Sequence, residues 1–257
     1  MKTRLLDIDD RNEDLKELLR HGKERAAEFQ TRFDLSVIYH ENALEGIVFS
    51  SSELFQALDP NAIAADASMV PIYQGIRNHK AAIDFIREEA RLKKANITVT
   101  LMKKLYETLG LGFEAREKAA YRGDMPLHRT YFHDIAQPSK IPSLLEKLAD
   151  FTTSAEYRES HALGQAATVQ WQFMQAFPFA DNSGKIARLL SHLILLHAGY
   201  LPAVIHAIDR QRYYESLRMP VATLRQLLIE AMENSLDNAF KFFREHAPSR
   251  KHRASSA

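Results

Sequence analysis

A mostly α-helical protein with one small β-hairpin is the fold class this sequence predicts, and three observations carry it. Apolar residues recur at spacings of three and four over most of the 257 residues, the period of a buried helix face. Those stretches are bounded by helix signals, serine or aspartate before and glycine after. One span, 111–138, breaks the period and alternates apolar with polar residues around Gly123-Asp124, which suits a loop or a short hairpin.

Taken in chain order, a charged amphipathic helix is expected over 13–33, and a second over 34–46 that stops at Gly46. A third, at 51–58, opens on a serine cap. Strong helical periods follow at 76–94 and 98–110, the latter ending at Gly110. Beyond the irregular span, helices are expected at 143–155, 159–177, 183–199, 209–219 and 221–247. The tail 248–257 is polar and basic, so it is expected to be disordered. The apolar stripes of 13–33 and of the last helix suit pairing between the subunits of a homodimer, and burial within one chain suits them equally.

Composition narrows the function classes. Apolar residues make up 46% of the chain, enough for a substantial core. Lys plus Arg number 34 against 33 Asp plus Glu, which gives no nucleic-acid or membrane footprint and argues against DNA as a partner. The absence of cysteine excludes disulfides, thiol catalysis and thiolate-bound zinc. The N-terminal "MKTRLLDIDDRNEDL" has acids where a signal peptide needs an apolar stretch, and the run "LILL" is far too short to span a bilayer. A cytoplasmic protein without a membrane partner is the expectation.

The chemistry concentrates in "FPFADNSGKIAR", residues 177–188. Pro178 stops one helix, and Asp181, Asn182 and Ser183 are residue types that cap the next. Gly184 lets backbone approach a ligand, and free N–H groups at a helix start favour a bound phosphate. Lys185 and Arg188 follow at one and four residues, within reach of the same anion. Asp181 supplies one carboxylate, which suits Mg²⁺ shared with phosphates. An ordinary capped helix with two surface cations fits the same spacing.

"AFPFADNSGKIARLL" resembles the signature of the Fic (Fido) family, His-Pro-Phe-x-Asp/Glu-Gly-Asn-Gly-Arg-x-x-Arg. The likeness extends to the helices on either side, to "DRQRYYESL", and to "YRGDMPLHRTYFHDIAQPSKIPSLLEKLADF", which is similar to the family's target-docking flap. "YHENALEGIVFS" is similar to the family's inhibitory segment, Ser/Thr-x-x-x-Glu-Gly. The resemblance implies a Fic/Fido-type helical domain with a hairpin flap over 121–138. It implies an N-terminal helical region at 1–95 containing the inhibitory segment 34–46, a core at 96–220 and a C-terminal helix at 221–247. Family members transfer AMP from ATP to hydroxyl side chains of target proteins, so ATP with Mg²⁺, and a target docked on the flap by strand addition, are the implied partners.

Residue by residue, the family's catalytic His, which takes the proton from the target hydroxyl, falls on Phe177. Phenylalanine accepts no proton, and a positioned general base is worth roughly 10²–10⁴-fold in rate. Asp181 matches the metal ligand, and Gly184 and Arg188 match the family's residues. Asn182 replaces a glycine, Ser183 an asparagine and Lys185 an arginine, which keeps charge but loses the bidentate fork. In the resemblance Glu45 pairs with Arg188 and obstructs the γ-phosphate, while Glu41 stands where Ser or Thr is usual. His192, His133 and His161 are weighed as substitute bases. The favoured readings are a packed polar residue, a surface hairpin residue and a helix cap respectively.

Two functions follow. One is a nucleotide-binding protein on an AMP-transferring fold whose transfer activity is lost or much reduced. The alternative is a transferase for a nucleotidyl or other phosphate-linked group with non-standard chemistry. Retained Asp181, Gly184, Arg188 and Glu45 favour the alternative, and the four departures in one signature favour the first.

Overall fold

The computed structural model describes residues 2–62, 64, 66–114, 118–126 and 133–245. Its α-helices are α1 Lys2–His21, α2 Lys23–Leu44, α3 Ser51–Leu58, α4 Met69–Arg91, α5 Val99–Gly110, α6 Ile141–Phe151, α7 Ala155–Glu159, α8 Ala162–Ala176, α9 Ser183–His197, α10 Arg210–Ser216 and α11 Val221–Glu245. Among the described residues no helix is long and apolar enough to cross a membrane.

Local chemistry explains several boundaries. Ser50 and Glu53 close a reciprocal capping box at the start of α3. The Thr98 hydroxyl accepts from the Leu101 N–H at the start of α5. His161 caps α8 as expected, its Nδ1 accepting from the Leu163 N–H at 3.1 Å. Helix α4 starts seven residues before the expected position, because Pro71 falls in its first turn, where a missing N–H costs nothing. The expected break near residue 33 lies instead at Gly22, and a helix begins at Lys2. Long-range contacts support that first helix: Arg4 Nε donates to Glu233 on α11 at 2.7 Å, and Ile8 and Leu15 are buried.

Helices α8 and α9 pack against each other, with the loop 177–182 joining them at one end. Helix α4 lies along α9, α11 along α8, and α1 along α11. Phe29 and Phe33 of α2 are buried, and Phe29 packs against Phe242 and Phe243 of α11. Phe29 and Phe33 of one stripe and Phe242 and Phe243 of the other are thus covered within the chain, while Leu18 stays exposed.

The expected β-hairpin is not supported. No strand occurs among the described residues, and 127–132 of the flap lie outside them. The flanks run as irregular chain because their main-chain bonds go to other elements. Arg122 N–H donates to the Pro178 carbonyl and Ala136 N–H to the Gln175 carbonyl, both at 2.9 Å. The Arg122 side chain finishes the tie. Its guanidinium donates to the carbonyls of Phe177 at 2.7 Å, Asp124 at 3.0 Å and Ala176 at 3.3 Å, and also to that of Ala136. The base of the flap is therefore bound to the end of α8 by one buried arginine. The tail 248–257 lies outside the described residues.

Arg122→Met keeps the aliphatic stem and leaves those carbonyls unpaired. It should cost about 3 kcal/mol, since stranding buried acceptors forfeits their full desolvation. A thermal melt indistinguishable from wild type would show that the tie is dispensable.

Candidate functional site

The end of α2 builds one wall of the site. Glu45 is its C-cap, and Gly46 follows in the left-handed region with φ 88°. Gly46 N–H donates to the Ala43 carbonyl and Ile47 N–H to the Asn42 carbonyl, a Schellman closure that only a residue tolerant of positive φ makes cheaply. The Leu44 carbonyl is held from α10, accepting from Arg210 Nε at 2.8 Å and from the Tyr214 hydroxyl at 3.1 Å. The backbone that carries Glu45 is therefore fixed on both sides.

The loop 177–182 and the start of α9 build the facing wall. Phe177 closes α8 in the left-handed conformation, φ 41° and ψ 64°, its N–H donating to the Phe173 carbonyl. Its ring is fully buried, edge-on to His133. A left-handed phenylalanine is strained by about 1–2 kcal/mol, which the Arg122 bond to its carbonyl helps to offset. Phe179 is buried and stacked on Tyr106 at 4.3 Å between ring centroids. Asn182 is also left-handed, φ 56°, so the turn expected of a glycine is made by asparagine, a residue that tolerates it. The Ser183 hydroxyl is buried and closes the loop on itself. It donates to the Phe179 carbonyl at 2.9 Å and accepts that residue's N–H at 3.0 Å.

These walls meet at Gly184. A Cβ there would stand 2.1 Å from Glu45 Oε1 and 3.0 Å from its carboxyl carbon. A side-chain carboxylate thus lies directly over the first turn of α9, where free N–H groups and the helix dipole favour negative charge. Glu45 also accepts from Arg188 Nη2 at 2.9 Å. Asp181 and Lys185 belong to the same loop and first turn, and Lys185 lines a cavity with Asn42, Ile47 and Asn182. Among the described residues no three His, Asp or Glu gather into a metal site. Asp181 is a single carboxylate, which fits Mg²⁺ that keeps its waters and shares phosphate oxygens and does not fit a resident metal.

Glu41 is the residue of this cluster that sequence reasoning left without a role. It lies one helical turn before Glu45 and is buried, with its Oε2 at 3.1 Å from Arg188 Nε. The two atoms approach without hydrogen-bond alignment, so the contact is chiefly Coulombic. Its backbone carbonyl accepts from Arg188 Nη2 at 3.2 Å. Arg188 is 1% exposed and its guanidinium lies 5.6 Å from the Tyr213 ring centre. His192 approaches Glu41 at 3.7 Å and His79 at 3.9 Å. His192 therefore faces this cluster, as a packed polar residue. His133 is buried with Nε2 at 2.9 Å from the Met174 carbonyl, which corrects its reading as a surface residue.

The charges divide by burial and neighbours. Burial lowers the His192 pKa to about 3, helped by Arg188. It lowers His79 well below the ordinary value, helped by Lys185 and Arg188. Both rings are neutral at physiological pH. Burial works against the Arg188 charge, but Glu41 and Glu45 outweigh it and keep that guanidinium charged. For Glu41 burial wins, raising its pKa to about 7, with Glu45 adding and Arg188 and Lys185 opposing.

Comparison with known proteins shows what this chain is similar to. Residues 95–195 match the Fic/DOC family. Protein adenylyltransferase Fic of Nematostella vectensis is 26% identical over 180 residues, 70% of this chain and 42% of that protein. The protein of the same description from Drosophila willistoni is 24% identical over 210 residues, 78% of this chain and 40% of that one. The chain therefore spans about two fifths of the length of these curated relatives. Among solved structures, a Fic domain containing signaling protein from Bacteroides thetaiotaomicron superposes with a TM-score of 0.81 at 21% identity. That match covers 94% of this chain and 97% of the other. Fic-1 from C. elegans gives 0.76 at 18% identity, covering 95% and 73%. These likenesses establish the fold.

The Glu41 carboxyl has an ordinary pKa of 4.5 and one of about 7 in the folded chain. The stability its neutral form contributes is complete below the ordinary value and is lost as pH rises through the folded one. The loss is worth about 1.4 kcal/mol per pKa unit. Wild type should therefore fall in melting temperature relative to Glu41→Gln between roughly pH 5 and pH 8. A constant gap across that range would mean that Glu41 is ionised throughout.

Proposed function

Because residues 95–195 match the Fic/DOC family, we propose that this chain binds a nucleoside triphosphate as Mg-ATP at the start of α9, with AMP transfer lost or much reduced. One observation carries the reading: the Glu45 carboxylate lies over Gly184 and on Arg188. It occupies the place a terminal phosphate would take, and it shows the surroundings an anion meets there. In this reading the N–H groups of the first α9 turn, from Gly184 and Lys185, cradle phosphate, and Asn182 shapes the turn that exposes them. Arg188 takes the terminal phosphate once Glu45 leaves. Ser183 contributes by bracing the loop, since its hydroxyl is committed to Phe179. Asp181 would hold Mg²⁺, whose contribution when bound is to neutralise charge on the phosphates.

The lost step is proton removal. In the resemblance Phe177 falls on the family's base, and its buried ring keeps that corner apolar. His133, edge-on to that ring, has one nitrogen against the Met174 carbonyl. A target protein would meet the segment 121–138, whose base Arg122 fixes to the Phe177 carbonyl. The cytoplasm suits a nucleotide-binding protein of this composition.

Two outcomes are expected. Glu45→Gly should bind Mg-ATP at least tenfold more tightly than wild type in calorimetry, and equal affinity would remove Glu45 from an inhibitory role. In the Glu45→Gly background, labelled ATP and a cell lysate should give transfer only when Phe177→His is also present. The gain should be on the order of 10²-fold or more. Label transferred by the chain with Phe177 intact would overturn the loss of activity and establish the alternative transferase.

A further inference from the structure

The inhibitory reading of Glu45 does not account for Glu41. Its carboxylate stands 3.1 Å from Arg188 Nε, and the side chains of the pair are 3% and 2% exposed. We propose that Glu41 is a second, resident carboxylate on Arg188, that it stays when Glu45 is displaced, and that by neutralising this arginine it sets the charge of the anion the site accepts.

The two carboxylates differ in how they are held. Glu45 sits at the end of α2, over Gly184, in the path of a ligand approaching the start of α9. Glu41 lies inside α2, and its side chain is covered by α4 and α9 through His79 and His192. Its backbone carbonyl also binds Arg188. A ligand that reaches the glycine turn competes with Glu45 alone, and Glu41 remains behind the guanidinium.

That arrangement changes the charge a ligand meets. The groups facing Glu41 are Arg188, Glu45, Lys185 and the neutral imidazoles His79 and His192. With Glu45 displaced, Arg188 and Glu41 cancel. What remains to attract an anion is Lys185 and the N–H groups of the first α9 turn. Each added ligand charge then gains little from Arg188 and is repelled by Glu41 at close range through a low-dielectric interior. A serine or threonine at this position, as in the resembled segment, would bring no such charge. Glu41 is therefore a positioning residue that fixes the guanidinium and a specificity residue that lowers its effective charge.

The affinity of this site for nucleotide rests on the function proposed above, whereas the charge effect does not. The test compares Glu45→Gly with Glu41→Gln/Glu45→Gly at pH 8 by calorimetry, using inorganic phosphate, pyrophosphate, triphosphate and ATP as probes. Removing the Glu41 charge should tighten triphosphate at least tenfold and phosphate less than threefold. Equal affinities in the two variants, a loss of affinity, or the same gain for all three inorganic probes would overturn the proposal. Inorganic triphosphate bound with the expected gain while ATP is refused would leave Glu41's role standing and sink the nucleotide reading. Binding of nothing by the double variant would sink both. Should Glu41→Gln melt near the assay temperature, Glu41→Ser, also neutral, carries the same comparison, and its gain must match in sign.

Discussion

The buried cation of Arg188 organises the chemistry of this site. Arg188 is taken almost wholly out of water, and an unpaired guanidinium there would cost several kcal/mol. Its neighbours are what such a charge requires: Glu41 behind it, Glu45 in front, the Glu41 carbonyl and the face of Tyr213. Satisfying it draws α2, α9 and α10 to one point. The helix end at Gly46, the glycine at 184 and the neutral state of His79 and His192 are arranged around that demand. Glu41 is itself buried, with Glu45 nearby, and burial foremost raises the pKa of its carboxyl above the ordinary value.

Most of the helices were legible in the sequence, because a 3.6-residue apolar period and a serine or glycine at the ends leave few alternatives. α3, α5 and the α8–α9 pair fall close to the expected spans. The start of the first helix, before residue 13, was not legible, since its support is distant. Arg4 and Arg11 reach Glu233 and Asp237 on α11, and no local pattern announces a partner more than 200 residues away. The hairpin finds no support among the described residues, for a related reason. Alternation around Gly123-Asp124 looked like paired strands, but among the described residues the N–H groups of Arg122 and Ala136 go to Pro178 and Gln175.

The candidate site divides in the same way. Gly184, Arg188 and Glu45 meet at one place, and the spacing of a capped helix start already suggested an anion cradle. Residue roles inside the loop were less predictable. Ser183 had the chemistry of a ligand group, yet its hydroxyl is turned back on Phe179. Glu41 had been marked only as a departure from a familiar segment. Its position four residues before Glu45 places both carboxylates on one helix face, a signal that would have found it had the arginine's appetite for counter-charge been weighed. Arg210 and Tyr214 hold the Leu44 carbonyl through tertiary contact alone.

That last contact has a mechanical consequence. With the main chain at Leu44 bolted to α10 and closed at Gly46, the carboxylate of Glu45 can leave Gly184 without carrying its helix along. Opening then costs torsions in one side chain, and the scaffold on both sides keeps its shape. Under the proposed binding of an anion at the start of α9, such a latch would yield to a competitor for the arginine and close again once that competitor departs.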